Sequence, residues 1–192
     1  FRQVKEDLYE NTVLILENQI STKISFSIFP KSQDIKLDSQ SPFFPTSSQK
    51  YLKNNKYINS NNPIVQKISK NIKGETLSEI IKNSYDFVLG NLSYGNPIDG
   101  LYTYKQALES RVTDCGGFST LLCSILNAKK IPTRLVVGFL IKNNISTKIH
   151  KLTKIKSLGF ENVYMHAWVE ALLPDGTWFP MDPSIEWRKR KG

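Results

Sequence analysis

Residues 114–141, DCGGFSTLLCSILNAKKIPTRLVVGFLI, restrict the fold more than any other stretch of the chain. Phe118, Leu121, Leu122, Ile125 and Leu126 recur at the spacing of one apolar helix face. Pro132 forbids the helix to continue, and the apolar, β-branched run that follows reads as a buried strand. A buried helix that hands the chain directly to a buried strand requires a core made of both.

The flanks fix how the two are combined. Upstream, TVLILENQISTKISFSIFP has an apolar run from Val13 to Leu16 and then Ile24, Phe26 and Ile28 at every second position, which predicts two antiparallel strands. From Lys31 to Asn62 the chain is rich in Ser, Asn, Gln, Lys and Pro without a period, as in a long surface connection. Asn62 before Pro63 predicts a helix start with proline in the first position. Thr76 with Glu79, and Thr103 with Gln106, each have the spacing of a reciprocal N-terminal cap. Downstream, residues 143–161 read as a polar, Lys-rich loop, followed by a strand in VYMHAWVEALL, a turn at PDGT and a short strand in WFPMD. Strands, then helices, then strands predict an α+β fold, with helices packed on a mainly antiparallel sheet. We expect an N-terminal strand-bearing extension and linker over 1–60 and a main domain over 61–192.

Bulk properties narrow the partners. A chain of 192 residues that is 40% hydrophobic can bury a full core. Its net charge of +9 would suit an anionic partner, yet the basic residues are scattered rather than interleaved with aromatics, so a nucleic-acid ligand is not expected. The closing EWRKRKG is read as a solvated tail or linker. No run has transmembrane length, and FRQVKEDLYE has neither an initiator Met nor a signal pattern. We therefore expect a domain excised from a longer protein, extracytoplasmic or membrane-anchored, with any membrane or cell-wall association made through segments outside this chain.

Cys115 follows Asp114, a good N-cap, and so falls in the first helical turn, where free N–H groups and the helix dipole favour an anion and can meet a developing oxyanion. Gly116 and Gly117 weaken the helix, which packing alone does not ask for, and they leave the approach to sulfur open. A lone cysteine on an apolar helix is ordinarily a packed thiol, so a nucleophile needs a base. Of the two histidines, His150 sits in a basic loop, whereas His166 shares a strand face with Tyr164, Trp168 and Glu170. A three-residue loop with Gly176 in the left-handed position pairs Leu173 with Thr177, which sets Asp182 opposite Trp168, on the side of His166. Thiol, imidazole and carboxylate thus come from three segments. A disulfide between Cys115 and Cys123 is excluded, because eight residues of helix span roughly 12 Å. A zinc site fails for want of ligands at a suitable spacing, and no cofactor is expected.

Three motifs, DCGGFSTLLCSILNAKKIPTRLVVGF, HAWVEALLPDGTW and MDPS, occur in an order and spacing that resemble the transglutaminase-like superfamily over about residues 60–187. The resemblance implies a papain-like core, a catalytic triad of Cys115, His166 and Asp182, and acyl transfer from an amide of a protein or peptide through a thioester. It implies that Trp168 and Tyr94 line the substrate site beside Gly116, and that Arg134 and Glu170 have a structural part. The calcium dependence of animal members is not expected, since no acidic loop of the calcium-binding type is present. Lys129 and Lys130 stand where the family usually has Ala-Gly. Transfer to water would make a protease or amidase and transfer to an amine a cross-linker, and the sequence leaves both open. A non-catalytic protein- or cell-wall-binding module that retains the fold is the alternative.

Overall fold

A computed structural model describes residues 3–6, 12–15, 35, 37, 44–141 and 163–191. The chain divides into two compact units, 1–34 and 35–192. In the first, strands β1 (Gln3–Glu6) and β2 (Thr12–Ile15) pair antiparallel, Val4 opposite Leu14. The apolar run from Val13 therefore forms a strand, but its partner is the polar stretch before it. The strand expected around Ile24–Ile28, the loop over 143–161 and His150 lie outside the described residues.

The second unit is built around helix α4 (Cys115–Ala128), whose residues 116–127 are all buried. It packs against α1 (Pro63–Asn71), α2 (Leu77–Asn91), α3 (Tyr104–Ser110) and α5 (Pro183–Lys191), and against β5 (Thr133–Ile141) and β6 (Val163–Leu172). The expected single apolar face is thus too narrow a description. The other side of α4 is also covered, and it carries small polar residues whose hydrogen bonds are met internally: Ser124 Oγ donates to Thr120 O at 2.8 Å and Ser119 Oγ to Ala167 O at 3.2 Å. Phe118, Leu121, Leu122, Ile125 and Leu126 are fully buried with Val65, Val88 and Val169, and each such side chain contributes about 1.5–3 kcal/mol relative to exposure.

Local signals set the helix ends. Asn62 Oδ1 accepts from Ile64 N at 2.9 Å with Pro63 in the first position. Thr76 with Glu79 and Thr103 with Gln106 form complete capping boxes. A short 3-10 helix over Thr46–Leu52 lies against β5, and Ile35, Leu37, Phe44, Tyr57 and Ile58 pack in or on the second unit's core, so the compact unit begins well before residue 60.

Strands β5, β6 and β7 (Trp178–Met181) form a three-stranded antiparallel sheet in that order. Leu172 lies opposite Trp178 and Leu173 N donates to Thr177 O at 2.8 Å, with Gly176 at φ +87°, as the three-residue loop requires. Two further strands, β3 (Ser93–Tyr94) and β4 (Val112–Thr113), make a two-residue parallel ladder immediately before α4. The expected solvated tail is instead helix α5. Asp182 Oδ1 accepts from Ile185 N at 3.0 Å, Pro183 fills the first position, and the four basic residues complete the last turn, where they complement the helix dipole.

Candidate active site

The site forms where α4 begins, where β6 passes it, and where β7 turns into α5. Asp114 caps α4, its Oδ1 accepting from Gly116 N at 2.8 Å, and its other oxygen accepts from Ile98 N at 3.4 Å, which ties the preceding loop to the helix start. Burial pushes the Asp114 carboxyl above its usual range, against the backbone N–H groups that would lower it. Cys115, first in the helix, is half-buried rather than enclosed, and its N–H has no acceptor within the helix. Cys123, two turns on, is fully buried, and burial pushes its thiol up to about 12.

The two glycines after Cys115 have a packing reason. A Cβ on Gly116 would come within 2.7 Å of Leu101 Cδ1, and one on Gly117 would overlap Thr113 Oγ1. The room they make is occupied by Leu101, Tyr102 and Thr113, so the close approach they permit is that of the preceding loop and of β4 to the helix.

His166 is 4% exposed, on β6, opposite Gly138 of β5. Its Nε2 lies 2.5 Å from Asp182 Oδ2. The other nitrogen, Nδ1, is buried without a hydrogen-bond partner. Burial alone would lower the imidazole pKa, but the hydrogen bond and charge of Asp182, together with the neighbouring Cys115, outweigh it and carry it up to about 9. Burial likewise opposes ionisation of Asp182, yet its contacts with His166, Ile185 N and Ser184 Oγ hold the carboxyl below its usual value. Asp182 therefore uses one oxygen to hold the imidazole and the other to start α5. Tyr85 Oη of α2 donates to the Asp182 carbonyl at 3.0 Å and anchors the same residue from a third side.

Trp168, two residues along the face from His166, runs nearly parallel to the imidazole, with ring centroids 6.2 Å apart and planes at 21°. Tyr94 of β3 is half-buried against Phe118, and the Arg188 guanidinium lies over its ring at 4.6 Å. Burial raises the Tyr94 phenol to about 12, Arg188 opposing and the negative charges at Cys115, Asp114 and Asp182 adding to the rise. Both terminal nitrogens of Arg188 are buried without a hydrogen-bond partner, so the π face of Tyr94 is the group that receives its charge. The structure thus brings Cys115, His166 and Asp182 into one electrostatic cluster with Tyr94 and Trp168 at its edges, and places Gly116 in the first turn of α4 against Leu101 and Tyr102. The contribution of α5, through Arg188 and Trp187 packed on Phe118, lies beyond the sequence reading; Asp182-Pro183 as cap and first helical position is the signal that carries it. Among the described residues, no cluster of His, Cys, Asp and Glu is suited to hold a metal ion.

The sequence profile of the Transglutaminase-like superfamily matches residues 62–183. No curated protein matches the chain. Among solved structures, a candidate cysteine protease from Cytophaga hutchinsonii superposes with a TM-score of 0.56 at 19% identity, over 73% of this chain and 43% of that one. The periplasmic domain of TgpA from Pseudomonas aeruginosa, in a complex with ethylmercury, superposes with a TM-score of 0.55 at 18% identity, over 79% of this chain and 53% of that one. The chain therefore spans about half the length of these neighbours, and at such identities they speak for the fold. From the profile match and the shared architecture, the chain belongs to the transglutaminase-like superfamily.

Proposed function

We propose that this domain transfers acyl groups from amides of proteins or peptides through a thioester on Cys115. The observation that carries the reading is the His166 Nε2–Asp182 Oδ2 contact of 2.5 Å. It occupies one side of the imidazole and leaves Nδ1 as the side available to the thiol, which is the division of labour a nucleophile, base and orienting acid require. Cys115 Sγ attacks the amide carbon, and the carbonyl electron pair becomes an oxyanion beside the Cys115 N–H. As the tetrahedral species collapses, the C–N bond breaks and the His166 proton passes to the departing amine, leaving the thioester. An incoming water or amine then gives a proton to His166, attacks the thioester carbon and releases the thiol. Asp182 fixes the ring throughout and stays ionised.

We further propose that the domain lies outside the cytoplasm, and what supports that location is the periplasmic origin of one structural neighbour. No described helix is long and apolar enough to cross a membrane.

The test is incubation with a glutamine-containing peptide library, with and without a primary amine, read by mass spectrometry. Chain cleavage or conversion of side-chain amide to acid identifies a hydrolase, and amine incorporation with loss of ammonia a cross-linker. Each should vanish in Cys115→Ala. Unchanged peptides under all conditions would contradict the proposal and leave the binding module.

A further inference from the structure

Strands β5 and β6 are paired so that Arg134 lies opposite Glu170, Val136 opposite Trp168 and Gly138 opposite His166. Glu170 divides its carboxylate between two donors. Oε2 takes Arg134, with Nη2 at 2.6 Å and Nε at 2.7 Å, and Oε1 accepts from the Trp168 indole Nε1 at 3.3 Å. Arg134 is itself clamped, its guanidinium 4.1 Å above the Trp178 ring, which packs edge-on against Tyr51 at 4.7 Å. At the other end of the indole, a Cβ on Gly138 would fall 2.9 Å from Trp168 Cη2, so β5 is hollowed where the six-membered ring lies. The indole is thus fixed at its nitrogen by Glu170 and at its far edge by the absence of a side chain, and in that pose it runs parallel to the imidazole.

Strand pairing alone does not account for this. The Arg134 side chain is 38% exposed and that of Glu170 17%, and a partly exposed ion pair adds little to stability. The β5–β6 register is already set by a ladder that runs unbroken from Thr133 opposite Ala171 to Ile141 opposite Val163. What the pair adds is an oriented, charged acceptor for one indole N–H.

We propose that Glu170, held by Arg134, is a positioning residue that locks the Trp168 indole beside His166 and thereby sets the imidazole for Cys115. Water is kept from the edge of the His166–Asp182 bond, and the ring is denied rotation about its side-chain bonds. The inference rests on the thiol–imidazole reading of the site.

Glu170→Gln tests it. An amide has one oxygen, so it can serve only one of the two donors, and the charged Arg134 takes it. The readout is the rate of Cys115 alkylation by iodoacetamide at neutral pH in the wild type, Glu170→Gln, Trp168→Phe and the double variant. Each single variant is expected to react about tenfold more slowly, the cost of a misplaced reacting group. The double variant should be no slower than the slower single, because the phenyl ring that replaces the indole has no N–H left to hold. The pH profile with iodoacetate, an anion drawn in by the imidazolium, should lose its upper limb at lower pH in Glu170→Gln than in the wild type, while the thermal midpoint stays within a few degrees. Multiplicative losses in the double variant, or a wild-type rate and profile in Glu170→Gln, would overturn the proposal. If wild-type reactivity falls in His166→Ala but not in Glu170→Gln, only this inference fails; if it does not depend on His166, the proposed function fails with it.

Discussion

At the scale of single residues, the site is an ion pair in waiting between a ring and a carboxylate that fold into each other's reach. His166 is carried up to about 9 by Asp182 and Cys115 against the opposing effect of burial, so its contribution to stability is fully present below the unfolded value near 6.5 and is lost as pH rises through about 9. The Asp182 carboxyl is held below its usual value, so its share is present above about pH 4 and is lost as pH falls through its folded value. The thermal midpoint should therefore be highest between these limits and decline on both sides. In His166→Gln the alkaline decline between about 6.5 and 9 should flatten, as a melting series across that range would register. Asp182→Asn retains the cap on α5, since the amide oxygen can still accept from Ile185 N, but it removes the charge to which the proposed mechanism gives the fixing of the imidazole tautomer. We expect turnover to fall about a hundredfold or more with a smaller change in substrate KM.

At the scale of elements, α4 shows how much local chemistry is spent on placing one cysteine. Gly117→Ala would drive a Cβ into Thr113 Oγ1, against a strand buried beneath the helix start. Because Thr113 is short, β-branched and fully buried, it has little room to yield, and the substitution should cost about 3 kcal/mol or more. Denaturant unfolding should place its midpoint well below wild type. The other end of α4 carries the opposite opportunity. Lys130 stands at φ 62°, with Ile131 N donating to Leu126 O and Lys130 N to Asn127 O, the two bonds of a glycine-type helix stop. The side chain is exposed, so Lys130→Gly loses no packing and relieves about 1 kcal/mol of left-handed strain, which should raise the thermal midpoint by a few degrees. Elements of this kind are legible in the sequence where a short-range signal is complete. Asn62-Pro63, Thr76/Glu79, Thr103/Gln106 and Asp114 each name their helix start, and Gly176 fixes the β6–β7 register that puts Asp182 on the side of His166. The β3–β4 ladder is not legible, because two residues in parallel register leave no periodic pattern. Helix α5 is obscured by composition: four consecutive basic residues resemble a solvated tail, and the Asp182-Pro183 cap that starts the helix reads equally well as the end of a strand.

At the scale of the whole molecule, the fold brings together three segments that are distant in sequence by using α4 as a fixed post. The helix is enclosed by four others and by the sheet, so its first turn has little freedom, and β6 carries His166 past it at a height set by the β-ladder. The position of the carboxylate beside His166 can be anticipated because strand parity is a one-dimensional property. The Trp168–Glu170–Arg134 arrangement cannot, because it depends on which way an indole turns across the strand opposite. The central claim is that Cys115 is an activated thiol and Cys123 is not. Timed exposure of the folded protein to iodoacetamide, followed by peptide mass spectrometry, measures this directly. The account predicts rapid modification of Cys115 alone, abolished by His166→Ala, with Cys123 unmodified until the protein unfolds; slow and equal modification of both cysteines, indifferent to His166, would contradict it.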